Sequence, residues 1–146
     1  MAEQNGKITN PETSILIVDD NPQYTMVLKK ILTAAFGYLN ITSVDSTVKA
    51  YDILKTDPGR FQLLFIDYNF PDGHTGGELL TRLATEELLG DKVAFLITSE
   101  PTVDNTKAAL KAGARGVVAK PFDRKDLLKQ LEKADRAAYI DSLDSF

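Results

Sequence analysis

The sequence contains no cysteine, no tryptophan and a single histidine, His74, among its 146 residues. The lack of cysteine excludes disulfide bonds, cysteine-ligated zinc, iron–sulfur clusters and thiol nucleophiles, and it agrees with a reducing compartment. A Ser-His-Asp triad or a multi-histidine metal site would have to use His74 or fail. We expect His74 to be a loop residue with no role, so the available chemistry is that of carboxylates, hydroxyl groups, lysine and the backbone.

Long apolar runs and a strong excess of one charge are also missing. The longest strongly apolar stretch, residues 93–97, is far shorter than the ~20 residues that span a bilayer, and residues 1–13 carry no apolar signal-peptide segment. Seventeen Lys and Arg stand against twenty-one Asp and Glu, with no basic stripe of the kind that binds nucleic acid. We therefore expect a cytoplasmic protein that neither enters a membrane nor binds nucleic acid directly.

The chain length fits one folded domain with one core. We predict a polar N-terminal tail over residues 1–13, a single domain over residues 14–135, and a C-terminal helical extension or linker over residues 136–146. This last segment has apolar residues at every third position, namely Ala137, Ile140, Leu143 and Phe146.

Short apolar runs alternate with longer segments of helical periodicity, which is typical of a parallel sheet covered by helices on both faces. The predicted strands are residues 15–18, 41–44, 63–66, 93–97 and 116–119. The predicted helices are residues 23–36, 47–55, 77–89, 101–112 and one from 125 into the 130s, with N-caps at Asn21 or Asp20, Ser46 and Asp123 and a C-cap at Gly37. The pattern predicts an α/β, flavodoxin-like, doubly wound five-stranded parallel sheet with strand order 2-1-3-4-5 and three αβα layers.

Polar side chains follow four of these five strands. Asp19 and Asp20 end the first strand, Asp67 the third, Thr98 the fourth and Lys120 the fifth. Each of them alone would most simply be a helix cap, a strand-end carboxylate or an exposed loop residue. Adjacent strands lie ~4.8 Å apart, however, so the ends of the first, third and fourth strands fall within roughly 10 Å of one another. The sequence predicts that these groups meet.

Three carboxylates at one sheet edge repel one another unless a cation neutralises them. Carboxylates without nitrogen or sulfur partners suit Mg²⁺ or Mn²⁺ better than Zn²⁺. A magnesium ion beside a carboxylate, a lysine and a threonine hydroxyl is typical of a phosphoryl-transfer site, in which one carboxylate would be the nucleophile.

Other functions fit these residues less well. A P-loop enzyme needs G-x-x-x-x-G-K-[ST] after the first strand, whereas residues 19–22 read Asp-Asp-Asn-Pro. A flavin phosphate would be repelled by Asp19 and Asp20. A hydrolase of the aspartyl-phosphate type would need a D-x-D motif, and Asn69 stands at its second position. A chemically inactive protein-binding version of the fold stays open.

Four segments carry a resemblance to a known family: ILIVDD (15–20), FIDYNFPDG (65–73), FLITSE (95–100) and GARGVVAKPF (113–122). In this order and spacing they resemble the receiver domain of two-component response regulators, over about residues 14–134. Each segment is weak evidence by itself, and the four together are specific.

The resemblance implies a role for each site residue. Asp67 would accept a phosphoryl group from a sensor histidine kinase or phosphotransfer protein, and Asp19, Asp20 and Asp67 would hold Mg²⁺ together with the backbone carbonyl of Asn69. Thr98 would bind a phosphoryl oxygen and Lys120 would pair with the phosphoryl group.

Such a domain is a signalling domain rather than an enzyme, and it assists its own phosphorylation and dephosphorylation. Phosphorylation would shift its conformation and signal to a downstream protein or to an output domain outside this chain. The face of the fourth helix, fifth strand and fifth helix is the candidate homodimer surface. The alternative is a receiver-like protein-interaction module that is never phosphorylated.

Two departures from the family pattern stand out. The loop over residues 72–77 is one residue longer than usual, which affects where the third helix starts. Val117 occupies a position at which receivers often carry an aromatic residue that reports phosphorylation. We therefore expect the signal to leave through the loop over residues 100–106 and the start of the fourth helix.

Overall fold

A computed structural model describes residues 8–144, with side chains described for residues 8–135. The strands are β1 (Ser14–Val18), β2 (Asn40–Val44), β3 (Leu63–Asp67), β4 (Val93–Thr98) and β5 (Gly116–Ala119). The helices are α1 (Pro22–Phe36), α2 (Thr47–Thr56), α3 (Gly76–Thr85), α4 (Val103–Ala112) and α5 (Arg124–Asp144). All strand pairs are parallel and their order is β2-β1-β3-β4-β5, which confirms the predicted fold.

The sheet separates two apolar cores because successive strand side chains point to opposite faces. In β3, Leu64 and Ile66 pack with α2, α3 and α4, whereas Leu63 and Phe65 pack with α1 and α5. Every residue of β3 and β4 is buried, which explains why these strands read as continuous apolar runs rather than as alternating patterns. Because β3 and β4 are buried between the two cores, the residues at their carboxyl ends have fixed positions.

The predicted helix caps at Asn21, Ser46, Asp123 and Gly37 are confirmed. The side-chain oxygen of Asn21 accepts hydrogen bonds from the first turn of α1, and Ser46 does the same for α2. Gly37 ends α1 with φ 68°, a left-handed conformation that glycine adopts without strain. Oδ1 of Asp123 accepts hydrogen bonds from the first turn of α5.

Among α1 to α4, two helix boundaries differ from the prediction by more than one residue. The prediction that the third helix continues to Leu89 is wrong: α3 ends at Thr85, because Glu87 turns the chain with φ 59° and its following leucines pack against the core from a turn. The fourth helix begins at Val103 rather than Pro101, since the Thr102 hydroxyl accepts a hydrogen bond from the backbone N–H of Asn105 at 3.1 Å.

The segment before β1 is joined to the end of the domain. Ile8 is buried, and its N–H donates to Oδ1 of Asp135 at 2.7 Å. Asp135 also accepts from the N–H of Thr9, at 3.1 Å, and from its hydroxyl, while the Tyr38 hydroxyl donates to the carbonyl of Ile8. Burial, followed by the charge of Asp135, raises the pKa of Tyr38.

The domain boundaries at residues 13/14 and 135/136 stay predictions. Helix α5 continues through Asp144, but the apolar side chains at every third position from Ala137 lie outside the described residues, as do residues 1–7 of the predicted tail. In the part of the chain that the structure describes, no helix combines the length and apolar character needed to cross a membrane.

Candidate functional site

The acidic residues of the site stand at the carboxyl ends of β1 and β3. Asp19 directly follows β1, where its N–H donates to the carbonyl of Val44 at 3.1 Å and its Oδ1 accepts from the N–H of Asn21 at 2.9 Å. Asp67 is the last residue of β3. The exposed fractions of Asp19 and Asp67 are only 4% and 7%, whereas Asp20 is exposed. The site therefore has a buried floor and one carboxylate at its solvent edge.

The next two strands bring a hydroxyl group and an ammonium group to the same edge. Thr98 ends β4 and is buried, and its Oγ1 accepts a hydrogen bond from the N–H of Glu100 at 3.1 Å. The N–H of Lys120 donates to the carbonyl of Thr98 at 2.8 Å, which sets Lys120 beside it. The peptide bond between Lys120 and Pro121 is cis.

Three carboxylates form a group that could hold a metal ion. One oxygen from each of Asp19, Asp20 and Asp67 lies within 4.8 Å of the other two. Such an all-oxygen set fits Mg²⁺ by ligand type. Asn69, predicted to add its carbonyl, is exposed and pairs with Thr75 through an isolated antiparallel bridge, and its part in metal binding stays a prediction.

Lys120 connects two of these carboxylates. Its Nζ lies 3.0 Å from Oδ2 of Asp19 and 3.1 Å from Oδ1 of Asp67, and its side chain is only 10% exposed. The predicted proximity of strand-end groups is therefore present for Asp19, Asp20, Asp67 and Lys120. The Thr98 hydroxyl, by contrast, is directed to the following loop.

The electrostatics of the site follow from burial and crowding. Burial and then the charge of Asp19 raise the pKa of Asp67 to about 6, although Lys120 opposes this shift. Burial by itself would lower the pKa of Lys120, but hydrogen bonds and charges from Asp19 and Asp67 raise it. Asp67 is thus a carboxylate whose charge the folded chain only partly compensates.

An aromatic ring that no sequence pattern pointed to lies against Lys120, and a second ring packs on the first. Nζ of Lys120 lies 4.2 Å from the ring centroid of Tyr24, which stands in the first turn of α1. The ring of Phe122 meets the Tyr24 ring edge-on, at 5.9 Å and 86°. The sequence indicates this contact only by position, because the first turn of α1 and the residues after β5 both lie at the sheet edge that carries the site.

Gly76 is a second residue of the site that no sequence pattern pointed to. A Cβ atom at this position would lie 2.2 Å from the backbone carbonyl oxygen of Asp67 and 2.8 Å from Ile66. The N–H of Gly76 also donates to the carbonyl of Tyr68 at 2.8 Å. The start of α3 therefore packs against the backbone behind Asp67, and only glycine fits there.

A cavity of about 650 Å³ lies beside the site between α3 and α4. Its lining includes Leu96, Thr98, Ala109 and Val117. Val117 is half-buried and packs against the core cluster on this face. Thr98, whose carbonyl accepts from the N–H of Lys120, therefore also lines this cavity.

His74 lies in the exposed loop before α3, outside the carboxylate group. Its Nδ1 is 3.5 Å from a carboxylate oxygen of Glu78, and both side chains are more than half exposed.

A family model and the sequences of known proteins match most of this chain. The family model described as response regulator receiver domain matches residues 15–132. The chemotaxis protein CheY of Pseudomonas aeruginosa is 34% identical over 119 residues, covering 82% of this chain and 93% of that protein. Chemotaxis protein CheY-3 of Vibrio cholerae is 32% identical over 126 residues, covering 86% and 94%.

Solved structures share the fold at lower identity. Chemotaxis protein CheY4 of Vibrio cholerae superimposes with a TM-score of 0.72 at 24% identity, over 84% of this chain and 98% of that one. The CheX-CheY-BeF3-Mg²⁺ complex from Borrelia burgdorferi gives 0.73 at 21% identity, over 84% and 88%. These superpositions support the fold alone, and the sequence matches carry the relationship.

Proposed function

The chain belongs to the response regulator receiver domain family, and from that premise we propose that Asp67 is its phosphoacceptor. The observation that carries the proposal is the position of Asp67, a strand-end carboxylate grouped with Asp19 and Asp20 and 3.1 Å from the ammonium group of Lys120. A nucleophile, an acidic cation site and a fixed positive charge stand together there, as phosphoryl transfer needs.

In the proposed reaction, a carboxylate oxygen of Asp67 attacks the phosphorus atom of a phosphohistidine. A new P–O bond forms, the P–N bond breaks, and its electron pair stays on the histidine nitrogen. The product is an aspartyl phosphate. The carboxylate attacks in its charged form. Because the folded chain compensates the negative charge of Asp67 only partly, attack on the electrophilic phosphorus atom is favoured.

The surrounding residues stabilise the charge that gathers on the phosphoryl oxygens. Asp19, Asp20, Asp67 and the carbonyl of Asn69 would hold Mg²⁺, which would supply positive charge to neutralise the phosphoryl group. Lys120 exchanges its contact with Asp67 for one with a phosphoryl oxygen, and it stays anchored on Asp19. Thr98 gives a second contact when its hydroxyl turns from the N–H of Glu100 and donates to a phosphoryl oxygen.

Loss of the phosphoryl group requires a water molecule in line with the P–O bond. Water attacks phosphorus, the bond to Asp67 breaks, and the carboxylate and inorganic phosphate are released. Asn69 and Glu100 stand two residues after Asp67 and Thr98, and both are exposed. Because both are polar and reachable by solvent, we expect them to border the path of this water and to allow self-dephosphorylation.

The partners proposed for this chain are a sensor histidine kinase or phosphotransfer protein as donor, and a downstream protein or an output domain as receiver of the signal, all in the cytoplasm. A receiver of this family from Borrelia burgdorferi was solved in complex with CheX, which supports signalling by protein contact. The surface of α4, β5 and α5 is the proposed homodimer face.

Phosphorylation by a small acyl phosphate in the presence of Mg²⁺ tests the proposal. Intact mass should show one added phosphoryl group on the wild-type chain and none on Asp67→Asn. Asp72→Asn, which removes an exposed carboxylate from the loop before α3, is the matched control and should be modified like the wild type. If the wild type gains nothing under any donor or Mg²⁺ concentration, the alternative of a non-phosphorylated interaction module is correct.

A further inference from the structure

The ammonium group of Lys120 has a third neighbour besides its two carboxylates. Its Nζ lies 4.2 Å from the centroid of the Tyr24 ring, well within the ~6 Å over which a cation is attracted to an aromatic face. The Lys120 side chain is only 10% exposed. Asp19, Asp67 and the Tyr24 ring therefore surround the ammonium group on three sides.

The Tyr24 ring is itself held in place. The N–H of Tyr24 donates to Oδ1 of Asn21 at 3.2 Å, so its backbone is fixed by the N-cap of α1. Phe122, two residues after Lys120, meets the ring edge-on at 86°, an arrangement in which the positive edge of one ring faces the negative face of the other. Helix α1 and the segment after β5 thus present one aromatic face to Lys120.

The contact is made by the ring and not by the hydroxyl group. In the part of the chain that the structure describes, the hydroxyl of Tyr24 makes no hydrogen bond to another residue. Phenylalanine at this position would keep the aromatic face, whereas an aliphatic side chain would fill the space without it. Comparison of a phenylalanine with an aliphatic substitution at this position therefore separates the electrostatic role of the ring from its packing role.

We propose that Tyr24 is a positioning residue that holds the ammonium group of Lys120 at the phosphoryl site. The proposal rests on the proposed function, in which Lys120 exchanges an oxygen of Asp67 for an oxygen of the phosphoryl group. A lysine side chain has four flexible bonds, and fixing it costs conformational entropy. An aromatic face attracts the charge without specifying a hydrogen-bond direction, so Lys120 can move between oxygens while it stays out of bulk water.

The first readout needs no phosphoryl group and no metal. Because Nζ of Lys120 lies 4.2 Å from the ring centroid, we expect the NMR signals of the protons on the adjacent carbon to be shifted upfield in the wild type and in Tyr24→Phe. In Tyr24→Leu they should move to ordinary lysine positions. Equal Lys120 shifts in all three proteins would overturn the proposed contact.

The second readout is binding of beryllofluoride, a stable phosphoryl mimic, at saturating Mg²⁺. Tyr24→Phe should bind like the wild type, and Tyr24→Leu should need roughly three- to tenfold more beryllofluoride for half-saturation, the range expected for loss of a partly buried cation–π contact. Tyr24→Met, a second aliphatic variant, should behave like Tyr24→Leu and replaces it if that protein does not fold.

Binding of Mg²⁺ by itself separates positioning from a general loss of structure. Lys120 contacts the phosphoryl group in this account and is not a metal ligand, so the aliphatic variants should bind Mg²⁺ at least as tightly as the wild type. If Mg²⁺ and beryllofluoride affinities fall together, Tyr24 acts only by packing. If the aliphatic variants bind beryllofluoride like Tyr24→Phe, the positioning role is wrong. If the wild type binds no beryllofluoride, the proposed function itself fails.

Discussion

The ammonium group of Lys120 lies 3.1 Å from Oδ1 of Asp67, although β5, which Lys120 directly follows, and β3, which Asp67 ends, are not neighbours in the sheet. Strand β4 separates β3 from β5, and the long lysine side chain spans it to reach the carboxylate. The same ammonium group is 3.0 Å from Asp19. One positive charge is therefore shared by two buried carboxylates, and the site carries excess negative charge until a cation binds.

The first prediction is that Asp67→Asn stabilises the chain when metal is removed by a chelator. The pKa of Asp67 rises from 3.8 to about 6 on folding, so the folded chain holds this proton more tightly than the unfolded chain does. As the pH rises from about 4 to about 6, the contribution of Asp67 to the free energy of unfolding therefore falls. It stays low at higher pH. We expect Asp67→Asn to gain about 1–2 kcal/mol at pH 7 in urea unfolding.

The pH dependence of that difference is the sharper check. The gain of Asp67→Asn over the wild type should shrink as the pH falls from 6 towards 4, because the wild-type carboxyl becomes protonated there. Asp72→Asn should show no such gain. A variant Asp67→Asn that is less stable than the wild type at pH 7 would contradict the account of the site's charge.

The second prediction concerns Asp20, the exposed member of the acidic group. Mg²⁺ should raise the melting temperature of the wild type, with a stabilisation of ~1.4 kcal/mol at ten times its dissociation constant. Asp20→Asn should lose most of this response, since one of the three carboxylates is removed while the buried floor remains. The measurement is thermal unfolding across a Mg²⁺ series, with Asp72→Asn as control. An undiminished response in Asp20→Asn would exclude Asp20 as a ligand of Mg²⁺.

The third prediction is that phosphorylation changes the backbone dynamics most strongly at the start of α4. Oγ1 of Thr98 accepts from the N–H of Glu100 at 3.1 Å, and the side-chain amide of Asn105 donates to the carbonyl of Glu100 at 2.8 Å. Turning Thr98 towards a phosphoryl group breaks the first bond and loosens the loop that the second one ties to α4. Val117 is a poor conformational reporter because a β-branched side chain is stiff and short.

Amide exchange with and without beryllofluoride and Mg²⁺ tests this route. The largest change should fall within residues 99–109. A response limited to residues 19–21 and 67–70, with α4 unchanged, would show that the signal leaves through another face.

The fourth prediction concerns the link between the two ends of the domain. Asp135 is 8% exposed and accepts three hydrogen bonds from Ile8 and Thr9. In Asp135→Ala the N–H of the buried Ile8 loses its partner, so we expect a loss of about 2–3 kcal/mol in the free energy of unfolding. Glu132→Ala, an exposed position on the same helix, should change it by less than about 0.5 kcal/mol. Equal effects of the two substitutions would show that the link contributes nothing.

The sequence predicted those features that follow from local patterns. Buried strands such as β3 and β4 read as apolar runs, and the residue after each run falls at a known edge of a parallel sheet, so Asp19, Asp67 and Lys120 could be placed together. The end of α3 was overestimated because Leu88 and Leu89 continue the apolar pattern while the backbone turns at Glu87. The contact of Ile8 with Asp135 joins residues 127 positions apart, and the face of Tyr24 towards Lys120 depends on how α1 and β5 pack. The first contact leaves no local signal, and for the second the sequence offers only the position of both segments at the site edge of the sheet.

The most direct test of the central claim is to locate the phosphoryl group on the chain. After reaction with a small acyl phosphate and Mg²⁺, reduction with borohydride converts an aspartyl phosphate to homoserine, and peptide mass mapping identifies the position. We expect homoserine at residue 67 and at no other carboxylate, with none formed when Mg²⁺ is chelated. Homoserine at Asp19, Asp20 or any other position, with Asp67 intact, would contradict it.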